Sequence, residues 1–434
     1  MRLPLFQATN LIDEHGLLHP SVLAWVARQQ NAVLLETSRP EEGEHRNYLF
    51  LHPIRVVRCT HLAEIESSLH QIHLAVREGY YAAGFMSYEA GYAFEERLDA
   101  PMSPTAPLLW FGIYDAPAIY DHQRRAWATG GEIATLQSAA RSPSAERNQD
   151  HALDITPALS EAEYHQAIAA IRDHIARGDT YQVNFTFKLR FPCTVSPSSL
   201  YWRLRDRQRV SYSALLACGN HAILSFSPEL FFRIQQDEIT LKPMKGTAPR
   251  GCTPEEDELQ RRVLLHSEKN RAENLMIVDL LRNDVGRVAE TGSVQVSRFF
   301  DLEGFETVWQ ATSTITAKLR PHTTVLDLMR SMFPCGSVTG APKIHTMQII
   351  RTLEKEPRGV YTGCIGFFAP HLRHAVFNVA IRTVVLDHAT GMGEMGVGSG
   401  VVWDSDSEAE YRECLLKARF LSLTSMVSSP SHYC

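Results

Sequence analysis

Strand-forming apolar runs arrive in groups along this chain, with helical segments interspersed between groups rather than after every strand. No other feature narrows the available folds as much. Tyr181–Phe191, Tyr212–Cys218, Ala222–Phe226 and Leu230–Ile234 follow one another, and Val308–Lys318, Gly363–Phe368, Ala375–Val385 and Gly400–Trp403 come later. Strict β-α alternation predicts a parallel sheet, whereas grouped strands predict the α+β class with large, mainly antiparallel sheets. Helices are expected where apolar residues recur on one face. Ser160 and Glu163 form a capping box ahead of Tyr164, Ile168, Ile171 and Ile175, and Gly178 ends that helix. Glu255–Leu281 reads as two helical pieces, followed by Thr324–Met332, Ile344–Leu353 and a last helix over Ser407–Leu423.

Upstream, Ala32–Leu35 and Tyr48–Leu51 flank a charged turn as a hairpin does, Leu62–Val76 has helical periodicity, and Tyr80–Tyr92 and Pro107–Tyr114 read as buried strands. Between Ser138 and Ser160 the composition shifts to small and polar residues, which predicts a linker or long exposed loop. The chain therefore divides into a strand-rich N-terminal subdomain over 1–150 packing on a larger domain over 160–426, the two forming one interwoven globule.

A 44% hydrophobic content in 434 residues is ample for an extensive core. The net charge of -6 gives no general attraction to nucleic acid or anionic lipid, so neither is an expected partner. Eight cysteines are scattered without Cys-x-x-Cys or paired histidine spacing, as in reduced thiols of a cytoplasmic protein. Met1–His15 lacks the features of an export signal, and no apolar run reaches the length of about 18 residues that a membrane helix needs.

Chemistry-bearing residues cluster in the C-terminal two thirds. Lys245 lies in Pro243-Met244-Lys245-Gly246-Thr247-Ala248-Pro249-Arg250-Gly251, between turn-forming positions that fix an amine better than a mobile surface helix would. Most lysines are solvated charges, so this peptide alone leaves both roles open. Glu410, Glu413 and Lys417 share one face of the last helix, either as a solvated ladder or as a site beside the glycine-dense Gly396-Val397-Gly398-Ser399-Gly400, whose backbone N–H groups suit an anion. Gly391-Met392-Gly393-Glu394-Met395-Gly396 matches a dinucleotide-binding pattern but runs into a strand where that pattern requires a helix. Glu273 sits beside the apolar face of its helix and suits either a solvated surface acid or a partly buried one, whose cost a divalent cation with oxygen ligands, as Mg²⁺ prefers, would offset. Arg382, read as lying inside an apolar strand, suits either a bidentate clamp on a carboxylate or an internal ion pair, and Tyr361 suits packing or ligand contact.

These peptides together resemble the chorismate-utilising enzymes. The resemblance runs from Tyr181 to Lys417 through Ser227-Pro228-Glu229, PMKGTAPRG, AENLMIVDLLRNDVGR, FPCGSVTGAPK, YTGCIGFF, NVAIRT and GSGVVWDSDSEAEYRECLLKA, and more loosely through Leu34-Leu35-Glu36-Thr37 and YYAAGFMSYEA. It implies a layered α/β/β/α core like that of anthranilate synthase component I. It also implies chorismate as substrate and a Mg²⁺ site on Glu273 and Glu413 with Glu410 nearby. Tyr361, Arg382 and the backbone around Ser399 and Gly400 match positions that hold the enolpyruvyl carboxylate, with Thr339, Lys417 and Gln310 as further substrate contacts. Lys245, Glu229 and Thr247 form the implied catalytic set. The branch that aminates chorismate at C4 carries a lysine nucleophile at position 245, where anthranilate and isochorismate synthases usually carry alanine. Isochorismate synthases also place a lysine base where this chain has Gln182. Both differences favour 4-amino-4-deoxychorismate as product, with Glu229 as general acid.

The chain departs from the family pattern at Gln310, where many members have histidine, and at Asn270, where an acidic residue is common. Gln208-Arg209-Val210-Ser211-Tyr212 replaces the Asn-Pro-x-Pro-Tyr segment with which some relatives bind tryptophan. No Cys-His-Glu glutaminase segment and no lyase domain are recognisable, so ammonia is expected from a separate glutamine amidotransferase subunit, with aminodeoxychorismate released as such. Anthranilate or isochorismate formation is the nearest alternative, and a weakly catalytic scaffold for a glutaminase partner is another.

Overall fold

A computed structural model describes residues 5–6, 11–41, 43–95, 98, 106–128, 136, 153–305 and 308–421. Two large sheets organise them, and every described strand pair is antiparallel. The first sheet runs, in spatial order, through Leu5–Phe6, Ala126–Ala128, Ala118–Asp121, Arg46–Phe50, Ala32–Glu36, Tyr212–Cys218, His221–Ser227, Thr383–Asp387, Met392–Val401, Gln182–Pro192 and Gly340–Ala341. The second runs through Met244–Pro249, Val308–Lys318, Glu238–Lys242, Leu230–Gln235, His374–Val379, Cys364–Phe368, Tyr81–Met86, Leu109–Tyr114 and Arg55–Cys59. Strands from the first 128 residues thus enter both sheets beside strands from the C-terminal half.

Alternation along the strands explains the continuous apolar runs. Val33, Leu216, Ile223, Ile365 and Phe367 enter a core between the sheets. Their neighbours Leu34, Leu215 and Leu224 face the outer side of the first sheet, and Cys364 and Phe368 the outer side of the second. A strand covered on both faces has no polar face to show. Helices cover the outer faces: Glu161–Ala176, Pro197–Arg207 and Ser407–Lys417 on the first sheet, Ile65–Arg77, Glu268–Gly286 and Val325–Met332 on the second. The result is the α/β/β/α layering.

Several local expectations need correction. Tyr80–Tyr92 is a strand only over Tyr81–Met86; Tyr88–Phe94 is a 3₁₀ helix whose Glu89 carboxylate accepts the N–H groups of Arg358 and Gly359. Ala375–Val385 is two strands, His374–Val379 in the second sheet and Thr383–Asp387 in the first. The peptide around Lys245 is no turn but the edge strand Met244–Pro249, bulged at Gly246. The expected loop over 138–160 lies largely outside the described residues. Its last part includes Thr156–Pro157, which pairs with Gln182–Pro192. The last helix ends at Lys417, and residues 422 and 423 of its expected span are likewise outside. Among the described residues no helix is long and apolar enough to cross a membrane, and the seven described cysteines are free thiols.

Phe367 joins the halves of the chain between the sheets, its ring centroid 4.6 Å from that of Tyr48 and 5.8 Å from that of Phe50. Phe367→Ala is expected to cost about 3–5 kcal/mol and to shift one cooperative urea transition as a whole. Two separate transitions would contradict the interwoven core.

Candidate active site

Two adjacent crossovers between the sheets place the first functional residues. The chain leaves His221–Ser227 for Leu230–Gln235 through Pro228 and Glu229, and leaves His374–Val379 for Thr383–Asp387 through Ala380, Ile381 and Arg382. The crossovers are stitched together: the Val379 N–H donates to the Glu229 carbonyl, the Phe226 N–H to the Arg382 carbonyl, and the Ser227 hydroxyl to the Val379 carbonyl at 2.6 Å. Arg382 adopts φ +50°, a left-handed conformation costly for a side chain of its size. It is therefore a residue between strands, not one inside an apolar strand.

Lys245 reaches across from the edge of the second sheet to the first. The amine lies 3.3 Å from where a Cβ on Gly400 would stand, and the Gln182 amide nitrogen only 2.4 Å from it. Any side chain at 400 would displace both groups. Gly246 permits the bulge with φ +98° and packs on Asn270 of the helix Glu268–Gly286. Gln310 holds the bulge from the next strand, donating to the Gly246 carbonyl at 3.0 Å and accepting from the exposed Thr247 hydroxyl at 3.0 Å.

The electrostatics of this place are set by burial among charges. Desolvation lowers the proton affinity of Lys245 and Lys417 adds to that, outweighing the pull of Glu273, Glu229 and Glu413. Burial raises Glu229 above the ordinary carboxyl range against its hydrogen bond to Ser337, the charge of Lys245 and the Met244 N–H. Its Oε1 is buried without a hydrogen-bond partner among the described residues. Arg382 is pushed down to about 10 by desolvation, and no carboxylate pairs with it among the described residues. A cation stripped of water with no internal partner is a seat for an external anion.

Glu273 faces the C-terminal helix Ser407–Lys417. Burial raises it, Lys245 and Lys269 oppose, and Glu410 and Glu413 raise it further. Burial also acts to raise Glu413, but Lys417, bonded to it at 2.7 Å, outweighs this and holds it below its usual range. Lys417 also donates to the Gly398 carbonyl at 2.8 Å, and Glu410 accepts from Ser405 at 2.8 Å. The expected helical face therefore exists, neither wholly solvated nor wholly buried. Among the described residues no three acidic, histidine or cysteine side chains are gathered tightly enough to hold a metal unaided. Three mutually repelling carboxylates on two helices, offering only oxygen donors, nevertheless fit Mg²⁺ as part of a shell that water and substrate complete.

The remaining residues are placed less uniformly. Tyr361 is buried with its ring against Gly396, where a Cβ would sit 2.0 Å from Cδ1. Thr339 is fully buried and turns its hydroxyl back on the carbonyls of Cys335 and Gly336. The Ser399 hydroxyl lies on the helix side of its strand, bonded to Tyr164 at 3.0 Å, which leaves only its backbone for the site face. Gly396, Gly398 and Gly400 belong to the paired strand Met392–Val401 and not to a loop; their use is the space left by missing side chains. Sequence reasoning did not single out Ser337 or Lys269. Ser337 sits two residues before Thr339 in a quoted motif, and Lys269 precedes Glu273 by one helical turn, which is the signal that was there to find.

Residues 31–422 match the family model described as chorismate binding enzyme. Aminodeoxychorismate synthase component 1 of Klebsiella aerogenes is 38% identical over 341 residues, covering 76% of this chain and 74% of that protein. A Haloarcula marismortui protein named anthranilate synthase component 1 3 is 35% identical over 364 residues, covering 78% and 72%. The crystal structure of anthranilate synthase component I from Streptococcus pneumoniae TIGR4 matches with a TM-score of 0.77 at 27% identity, covering 87% of this chain and 92% of that one. The fold shared with it is of the α+β class with large antiparallel sheets that the grouped strands predicted. With a match over nearly the whole described fold and relatives of comparable length on both counts, the chain belongs to the family of chorismate-binding enzymes.

Proposed function

We propose that this chain aminates chorismate with ammonia to 4-amino-4-deoxychorismate through a covalent lysine intermediate. Overall similarity does not choose between amination at C4 and anthranilate formation, since the two named relatives are 38% and 35% identical to the chain. The observation that carries the choice is Lys245, an amine depleted of water and of proton affinity, set beside the space above Gly400 with Gln182 in place of a second lysine.

In the reaction the neutral Lys245 amine forms a bond to C2 of the ring. The two ring double bonds shift, and the C4–O bond breaks as Glu229 gives its proton to the departing hydroxyl, which leaves as water. Ammonia then bonds to C4, the double bonds shift back, and the C2–N bond to Lys245 breaks. The electron pair of the breaking C2–N bond returns to Lys245, which leaves as the neutral amine, and the proton lost by the new ammonium group at C4 restores the Glu229 carboxyl. Burial serves both partners, because it favours the uncharged amine and the protonated acid alike. Arg382 binds a substrate carboxylate, with Tyr361 beside it. Glu273 and Glu413, with Glu410 adjacent, would hold Mg²⁺, which when bound would supply positive charge to offset that of the ring carboxylate. Ammonia comes from a glutamine amidotransferase subunit, and the product feeds para-aminobenzoate and folate formation.

Incubation with chorismate, Mg²⁺ and ammonium, followed by mass identification of the product, tests the reading. 4-Amino-4-deoxychorismate is expected; anthranilate, isochorismate or no turnover would each overturn it. Chelation should abolish the activity, and added Mg²⁺ should restore it. Lys245→Ala is expected to lower amination by roughly three orders of magnitude or more with an unchanged unfolding midpoint.

At fixed free ammonia, kcat/KM should fall on both sides of an optimum. Lys245 gains its proton as the pH drops through a value below the ordinary lysine range. Glu229 loses its proton as the pH rises through a value above the ordinary carboxyl range. A profile with no alkaline decline would remove Glu229 from the role of acid. Arg382→Met should raise KM for chorismate by about 10- to 100-fold, the worth of a charged hydrogen bond, without lowering the melting temperature, because no internal partner is lost.

A further inference from the structure

Behind the substrate face lies a buried cation that the reaction above does not use. Arg358 is 3% exposed, and its guanidinium stands 4.3 Å over the Tyr88 ring. Its Nε and Nη2 grip Glu354 in a fork at 2.8 and 2.7 Å. The remaining donors go to the Val338 carbonyl at 2.8 Å, the Asn184 carbonyl at 2.6 Å and the Thr362 hydroxyl at 3.3 Å.

Each of these acceptors adjoins a residue of the site. Val338 precedes Thr339, and Thr362 follows Tyr361 with φ +61° and donates its hydroxyl proton to the Tyr361 carbonyl. Asn184 lies opposite Gly400 in the strand ladder, and its N–H donates to the Thr339 carbonyl at 2.8 Å. Glu354 also accepts the N–H of Thr186, which lies opposite Gly398. One planar group thus ties three separate segments, and no single-point cation has the geometry to replace it.

We propose that Arg358 is a positioning residue for chorismate, holding Thr339, Tyr361 and the Gly398–Gly400 stretch at their mutual spacing while touching neither the substrate nor the reacting atoms. The inference rests on chorismate binding and not on which product forms. Lys245 and Glu229 take no bond from Arg358, so its loss should weaken substrate binding more than the chemical steps. A change that merely unfolded a fraction of the molecules would instead lower kcat and leave KM in place.

Arg358→Lys keeps the charge and loses the fork. Its KM for chorismate, and its calorimetric Kd for chorismate with Mg²⁺ in the absence of ammonia, should both rise about tenfold or more, with a smaller change in kcat. Arg205→Lys is the control: Arg205 is fully buried on Glu36 in the first sheet's outer layer and should lower the melting temperature without moving KM. A wild-type KM and Kd in Arg358→Lys would overturn the proposal, as would an equal rise in Arg205→Lys. If Arg358→Lys fails to fold, Glu354→Gln, which keeps an oxygen for the Thr186 N–H, is read in the same way. Should the wild-type enzyme yield a different chorismate product, the proposed amination falls while the ratio of KM values still decides this inference.

Discussion

An amine loses proton affinity in a protein where water is excluded from it, and Lys245, whose amine stands beside the bare backbone of Gly400, meets that need although Glu273, Glu229 and Glu413 pull the other way. The edge of the second sheet meets an interior strand of the first there. The first contributes a strand whose glycines leave a floor without side chains. The second contributes a bulged edge strand that sends the amine across the gap. A methyl group at 400 would stand 2.4 Å from the Gln182 amide nitrogen and 3.3 Å from the amine, so Gln182 would have to move aside and Lys245 to give by a few tenths of an ångström. The edge strand in turn needs Gly246 to bulge, and Gln310 to pin the bulge from the neighbouring strand.

The same topology puts an acid near that amine, and a cation on the adjacent crossover, without a dedicated loop. Glu229 and Arg382 sit where two neighbouring strands change sheets, and their backbones are bonded to each other's crossovers. A residue in a regular strand would have its side chain committed to one core or the other. A crossover residue faces the seam between layers, and the strain recorded at Arg382 is the local cost of that placement.

Much of this was legible in the sequence because alternation and capping are local. The ordering of apolar runs gave antiparallel layers, the paired helices over 255–281 appear as Pro254–Leu265 and Glu268–Gly286, and Glu413 and Lys417 share a helical face as their spacing requires. The misreadings have a common cause. Ala375–Val385 is apolar throughout, so no periodicity marks the point at which the chain passes from one sheet to the other. The glycines of Gly396–Gly400 were read for their exposed backbone N–H groups, and in a two-layer fold glycine also signals space for a group from the opposite layer. The carbonyl and carboxylate acceptors of the Arg358 side chain lie up to 174 positions away, and no local pattern carries such pairings.

The balance of charge also bears on why two lysines and three carboxylates should share one cleft. In the proposed reaction a dianionic substrate enters beside Lys245, and by itself it would raise the proton affinity of the amine and undo what burial achieves. Arg382 can answer one carboxylate because none among the described residues competes for it. The other carboxylate would meet Glu273, Glu410 and Glu413, an arrangement that repels it unless a divalent cation lies between. Lys417 already neutralises Glu413 and is tethered to the Gly398 carbonyl, so it cannot serve as that counter-charge without breaking both contacts. In the proposed reaction the acidic pair of helices would be half of a site whose other half arrives with the substrate, and the low proton affinity of Lys245 would survive binding only if the incoming charge were cancelled there.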